Sequence, residues 1–293
     1  MKHLALLLTL SLFSTSLLGQ NKLGYHLEKN YVFTIKQDAQ QIITQELDGA
    51  SHVLTNEISG ILEFTVENMV GNNYELSMVF KDLNLKISSS IQGELMNVQA
   101  KEIKEGDMQS KIFHSLLNTP VKMILAKTGD ILEVTGGDSL VTRMTKASGL
   151  EDDFSKNMMK KSLEKEFGSD ALSKSYEQMT FIYPTVETNI GDSWENKYEG
   201  KLSTTNTWTL KNLTKDTTTI TGTADVVMNI TEPATTMNLT GTQSTLITAN
   251  PNNGVLIKMT VEGDTKGVST MVQMSDQEIP TTIKSTITYE LIQ

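Results

Sequence analysis

Apolar and polar positions alternate through the first half of the chain, and a period of two marks strands with one buried face. Tyr31, Phe33 and Ile35 fall on one face, and Leu62, Phe64 and Val66 alternate with Glu63, Thr65 and Glu67. Tyr74, Leu76, Met78 and Phe80 alternate with Asn73, Glu75, Ser77 and Val79. The stretch Asn68-Met69-Val70-Gly71-Asn72 separates these last two runs and predicts a hairpin. Leu83, Leu85 and Ile87 continue the pattern, interleaved with Asp82, Asn84, Lys86 and Ser88. Val121, Met123 and Leu125 predict another strand, turned at Lys127-Thr128-Gly129-Asp130 and returned by Ile131 to Val134. Short turns between one-sided strands mean an antiparallel meander, because parallel pairs need long crossovers.

After Thr135-Gly136-Gly137-Asp138 the period becomes helical. Leu140, Met144, Leu150, Phe154, Met158, Leu163 and Phe167 recur at steps near three and four, interrupted at Gly149. Asp138 is the expected N-cap and Gly168 the expected stop. Glu151, Asp152 and Asp153 sit early, and Lys160, Lys161 and Lys165 late, as the helix dipole favours. Further short helices are expected over residues 169–178 and 110–117. Strands then return. The stretch 204–248 is rich in threonine, which favours strands. Asn252-Asn253-Gly254 is a turn, followed by Val255, Ile257, Met259 and Val261, and Ile283, Ile287, Tyr289 and Leu291 form a final strand.

The expected fold is mainly β (α+β). One or two large curved antiparallel sheets, or a half-barrel, would carry a helical insertion on the concave face, where the apolar helix face is buried. The expected organisation is a signal peptide over residues 1–19 and a single β-rich domain over 20–293. Within that domain, 20–135 and 181–293 are β regions and 136–180 is the helical insertion.

The signal peptide follows from Lys2 and His3, an uncharged apolar run from Leu4 to Leu18, and a small residue at Gly19, with cleavage expected between Gly19 and Gln20. The run is short for a membrane span. The chain has no cysteine, so lipid attachment at a cysteine, disulfides and thiolate chemistry are all excluded. The expected location is the periplasm, outer envelope or extracellular space, without a membrane span once the signal is cleaved. A net charge of −10 argues against a nucleic-acid partner, which binds through neutralised phosphates.

Candidate chemistry is sparse. His26, His52 and His114 lack metal-ligand spacing, no Gly-x-Ser-x-Gly is present, and Gly136-Gly137-Asp138 lacks the lysine of a phosphate loop. No catalytic, metal or cofactor residues are expected, and the chain reads as a non-enzyme. Methionine is the unusual count, at 15, with many near the junction of strands and helices. Methionine adapts to greasy ligands and equally fills irregular cores. Two readings therefore stand. In one, an apolar small molecule or lipid lies between sheet and helices, lined by Phe64, Leu76, Met78, Phe80, Met123, Met144, Phe154 and Met158. In the other, the core is closed and the protein is a structural or interaction module for other envelope proteins.

Leu17-Leu18-Gly19-Gln20 resembles signal-peptide ends of Bacteroidota. The Tyr31-Val32-Phe33 strand, the Tyr74-Glu75-Leu76 hairpin, the Thr128-Gly129-Asp130 turn, and Pro184 followed by Ile190-Gly191-Asp192-Ser193-Trp194 are similar to a family of exported Bacteroidota proteins of unknown function. The resemblance implies location and fold and brings no catalytic residue. The inferred architecture also resembles envelope lipid carriers, in which a curved sheet cups a helical lid. Asp138-Ser139-Leu140 and Asp216-Thr217-Thr218 resemble sites that some Bacteroidota O-glycosylate.

Overall fold

The computed structural model describes residues 22–200, 202–274 and 277–292. The expected cleavage site between Gly19 and Gln20 lies outside them. The first strands are β1 (Val32–Leu47), β2 (Ala50–Val70), β3 (Asn73–Ser89) and β4 (Gly93–Gln99). Helix α1 (Met108–Leu116), β5 (Pro120–Leu125) and β6 (Ile131–Thr135) follow. Helices α2 (Gly137–Ala147), α3 (Asp153–Phe167) and α4 (Ser169–Thr180) come next. The chain then returns to β7 (Ser193–Tyr198), β8 (Leu202–Leu213), β9 (Thr218–Glu232), β10 (Thr235–Ala249), β11 (Leu256–Met271) and β12 (Ile279–Leu291).

All these strands form one antiparallel sheet in the order β6-β5-β3-β2-β1-β12-β11-β10-β9-β8-β7, with β4 beside the far half of β3. Helix α4 packs against both β6 and β7, the two ends of that order. Eleven strands laid flat at ~4.8 Å spacing would put those ends about 48 Å apart, several times a helix diameter. The sheet is therefore curved enough to bring both edges to one helix.

The residues after α4 stitch this seam. The Tyr183 amide donates to the Thr128 carbonyl in the β5–β6 turn at 3.1 Å. From β7, Trp194 Nε1 donates to the Ile182 carbonyl at 3.1 Å and the Tyr198 hydroxyl to the Phe181 carbonyl at 2.9 Å. One end of the sheet is crossed by the segment before β1. The Tyr25 amide donates to the Lys127 carbonyl and the His26 amide to the Asn253 carbonyl. Tyr25 also packs edge-on against Tyr183, with ring centroids 5.3 Å apart. The Tyr183 hydroxyl donates to the Gly254 carbonyl at 2.6 Å. Burial pushes the Tyr25 and Tyr183 hydroxyls well above the usual tyrosine range, so both stay neutral.

One N-cap differs from expectation. Helix α2 begins at Gly137 behind Gly136, whose φ of 96° turns the chain into the helix two residues early, and no side chain of its own caps it. Asp138 is therefore already inside the first turn, and the Gly137 amide donates instead to Ser169 Oγ at the start of α4. Asp152 caps α3 by accepting from the Ser155 amide at 2.7 Å.

Candidate functional site

Of the eight residues expected to line an apolar site, the structure brings six together. Phe64, Leu76, Met78, Phe80, Met123 and Met144 are buried in one continuous core with α-helical partners such as Leu140 and Tyr176. Phe80 is the clearest junction, meeting Phe167 of α3 at 6.5 Å and Tyr176 of α4 at 6.3 Å between ring centroids. The cavity touching Phe64 and Leu76 in this core has a volume of about 10 Å³, room for roughly one water. Phe154 and Met158 are not in the core: they stand exposed on α3.

The larger concavity, about 900 Å³, crosses β12, β1, β2, β3 and β4. Register places two polar rows across it, on the face opposite Ile35 and Leu62. Thr288, Asp38, Ser59, Asn84 and Gln99 are successive cross-strand neighbours, and so are Thr286, Gln40, Glu57, Lys86 and Asn97. Each row therefore presents a polar side chain about every 4.8 Å. A bulge shapes the floor: Ile61 pairs with Asp82 but Leu62 with Phe80, leaving Lys81 as the extra residue, and such an insertion bends a strand and sharpens its twist.

Part of the groove is already ordered by its own contacts. Gln40 Nε2 donates to Glu57 at 3.3 Å and Asn84 Nδ2 to Ser59 at 3.3 Å. Lys101 reaches Asp82 at 3.4 Å. Beside the groove, Lys36 sits 2.6 Å from Asp38, and that hydrogen bond and charge raise the lysine pKa. The lining carries carboxylates, amides, hydroxyls and lysines, and no histidine or aromatic ring. It offers donors and acceptors for a polar ligand, without a nucleophile–base pair. Among the described residues, no group of three or more His, Asp or Glu is placed to hold a metal ion. His114 is accounted for by packing, its Nδ1 lying 2.8 Å from the Ala100 carbonyl oxygen.

Sequence reading placed Asp82, Asn84 and Lys86 on the polar side of one strand and singled out none of the other groove positions. The available signal was the mixture of amides and charges at alternate positions, as in Asp82, Asn84 and Lys86.

A second polar feature lies at the seam. Burial, and then the neighbouring Asp130 carboxylate, push the Glu177 carboxyl on α4 above the usual glutamate range. Lys174 opposes the shift and Glu199 adds to it.

The fold is that of a single curved antiparallel sheet with inserted helices. The chain belongs to a family of unknown function (DUF6263), which it matches over residues 71–256. No curated protein matches it. Among solved structures it is similar to lipovitellin, in a structure of its lipid–protein interactions, with 12% identity and a TM-score of 0.51. That match covers 92% of this chain and 26% of the lipovitellin chain, so the chain spans about a quarter of that protein. At such identity the likeness shows the fold alone. DynF from the dynemicin biosynthesis pathway of Micromonospora chersina matches with 6% identity and a TM-score of 0.22, over 92% of this chain and 85% of that one. An outer membrane channel from Pseudomonas putida F1 matches with 9% identity and a TM-score of 0.26, over 92% and 97%. Neither score carries an argument. No helix among the described residues is long and apolar enough to cross a membrane.

Proposed function

We propose that this protein is a non-enzymatic interaction module of the bacterial envelope, a closed-core scaffold that offers the polar groove across β12 and β1–β4 to a partner. The observation that carries this reading is the contrast between the two concavities: about 10 Å³ in the apolar core and about 900 Å³ in the polar groove. Protein–protein interfaces carry direct hydrogen bonds to the partner, and the groove presents accessible donors and acceptors for them. The envelope location rests on the positive, apolar and small residues from Lys2 to Gly19.

A second reading has one observation in its favour. Met78, Met123 and Met144 lie among the strands and helices of the core, and methionine repacks readily around apolar ligands. The lipovitellin-like fold is compatible with such a ligand, held between the sheet and helices packed on its concave face.

The groove reading is tested by photo-crosslinking in the native host. A crosslinking residue at Ser59 on the groove floor should capture one reproducible partner, and charge reversal by Asp38→Lys with Glu57→Lys should abolish the capture. The same crosslinker at Leu246, exposed on β10, should not capture that partner. Equal capture at both positions, or capture that survives the reversal, contradicts the reading.

A further inference from the structure

Helix α3 leaves one face uncovered. Its buried side is marked by Leu163 and by Phe167, which meets Phe80 and Phe113. At steps of four, three and four residues, Phe154, Met158, Lys161 and Lys165 share the opposite side, since an α-helix advances about 100° per residue. The stripe is about 16 Å long. Phe154 is 77% exposed and Met158 56% exposed. These are the two residues whose helical period predicts burial and whose position in the fold gives them none.

Their surroundings identify what would cover them. From Phe154 to Leu163 the helix has Lys156, Lys160 and Lys161 and no acid, within a chain of net charge −10. Two of the three acids at its start are engaged: Asp152 accepts from the Ser155 amide, and Asp153 lies 3.9 Å from Lys156. Lys160 is 3.5 Å from Glu164 and Lys165 pairs with Glu232 of β9. Lys161 makes no ion pair among the described residues and points its charge out beside Met158. Exposed apolar side chains flanked by lysines suit a membrane interface, where the apolar groups enter the headgroup–acyl boundary and the ammonium groups meet lipid phosphates. The acidic remainder of the chain is repelled by an anionic surface, which orients this face toward it.

We propose that α3 docks this protein onto an anionic phospholipid surface, with Phe154 and Met158 entering the interface and Lys161 facing the phosphates. This face is separate from the groove, and the proposal stands without the groove reading.

The test is cosedimentation of the purified protein with vesicles of phosphatidylglycerol and phosphatidylcholine in equal parts, against phosphatidylcholine alone. The protein should pellet with the anionic vesicles at low salt, release as salt rises, and stay in solution with the neutral ones. Lys161→Ala should weaken binding about fivefold, and Phe154→Ser with Met158→Ser should abolish it, while thermal melts stay unchanged. Failure to pellet with anionic vesicles, equal binding to neutral ones, or unaltered binding by the variants overturns the proposal. So does concentration-dependent dimerisation lost in Phe154→Ser without vesicle binding, which assigns the face to a second copy.

Discussion

Alanine at Gly129 places a methyl group inside the seam that joins the two edges of the sheet. Gly129 has φ of 93°, and an added Cβ would lie 1.7 Å from the Thr180 carbonyl oxygen and 2.4 Å from its carbon. Adopting that φ costs an L-residue about 1–2 kcal/mol. The overlap cannot be relieved by a rotamer, because the obstacle is backbone, so the end of α4 must retreat from the β5–β6 turn. That retreat stretches the bond from the Tyr183 amide to the Thr128 carbonyl, worth about 1 kcal/mol, and loosens packing on Met179 and Ile182, both buried. The sum is about 3–5 kcal/mol. A chain of this size loses roughly 2–4 °C per kcal/mol, so Tm should fall by about 6–20 °C. Gly149→Ala is the control: φ is 71° and nothing lies within 4 Å of the added Cβ, so only the backbone cost of about 1–2 kcal/mol applies. Urea and thermal denaturation of both variants measure the difference. Equal losses would refute the close approach at the seam, and with it the joining of β6 and β7 through α4.

Other outcomes follow from the same structure. Glu177 has its pKa raised in the folded state, first by burial and then by Asp130. Its contribution to stability is therefore present below the ordinary glutamate pKa and lost as pH rises through the raised value. Glu177→Gln should be the more stable protein at neutral pH, by less than about 1 kcal/mol because the site is partly solvated, and the difference should vanish in acid. Thermal melts across that pH range read it, and a less stable variant at neutral pH contradicts the assignment. Met144→Ala, at a fully buried position, should cost about 2–5 kcal/mol in urea unfolding. A cost under about 1 kcal/mol would mean that the core there is not packed. Ser59→Ala with Asn84→Ala removes a groove hydrogen bond. It should change stability by about 0.5 kcal/mol or less while reducing crosslinked partner, and unchanged capture counts against the groove.

The parts of the fold that could be read from sequence are those where one face is wholly buried. Leu62, Phe64 and Val66, or Tyr74 to Phe80, alternate because their apolar sides meet the core. The far halves of β1 and β2 give no such signal. Gln37, Ala39 and Gln41 follow Ile35 on the same face and are only half-buried, so polar and apolar residues mix there. The groove was invisible for a related reason: its polar rows look like any solvated face, and the concavity needs cross-strand register and the Lys81 bulge. The seam joins residues near 130, 180 and 195 through backbone contacts that no local pattern encodes. Phe154 and Met158 show the limit of periodicity, which marks an apolar helix face and leaves open whether the chain itself covers it.

Native mass spectrometry of the protein purified from its own host without detergent tests the closed core most directly. The account predicts the bare polypeptide mass, with Phe64, Met78, Met123 and Met144 buried in one core. A reproducible additional mass of lipid size, removed by organic extraction, would contradict it and establish an apolar ligand between sheet and helices.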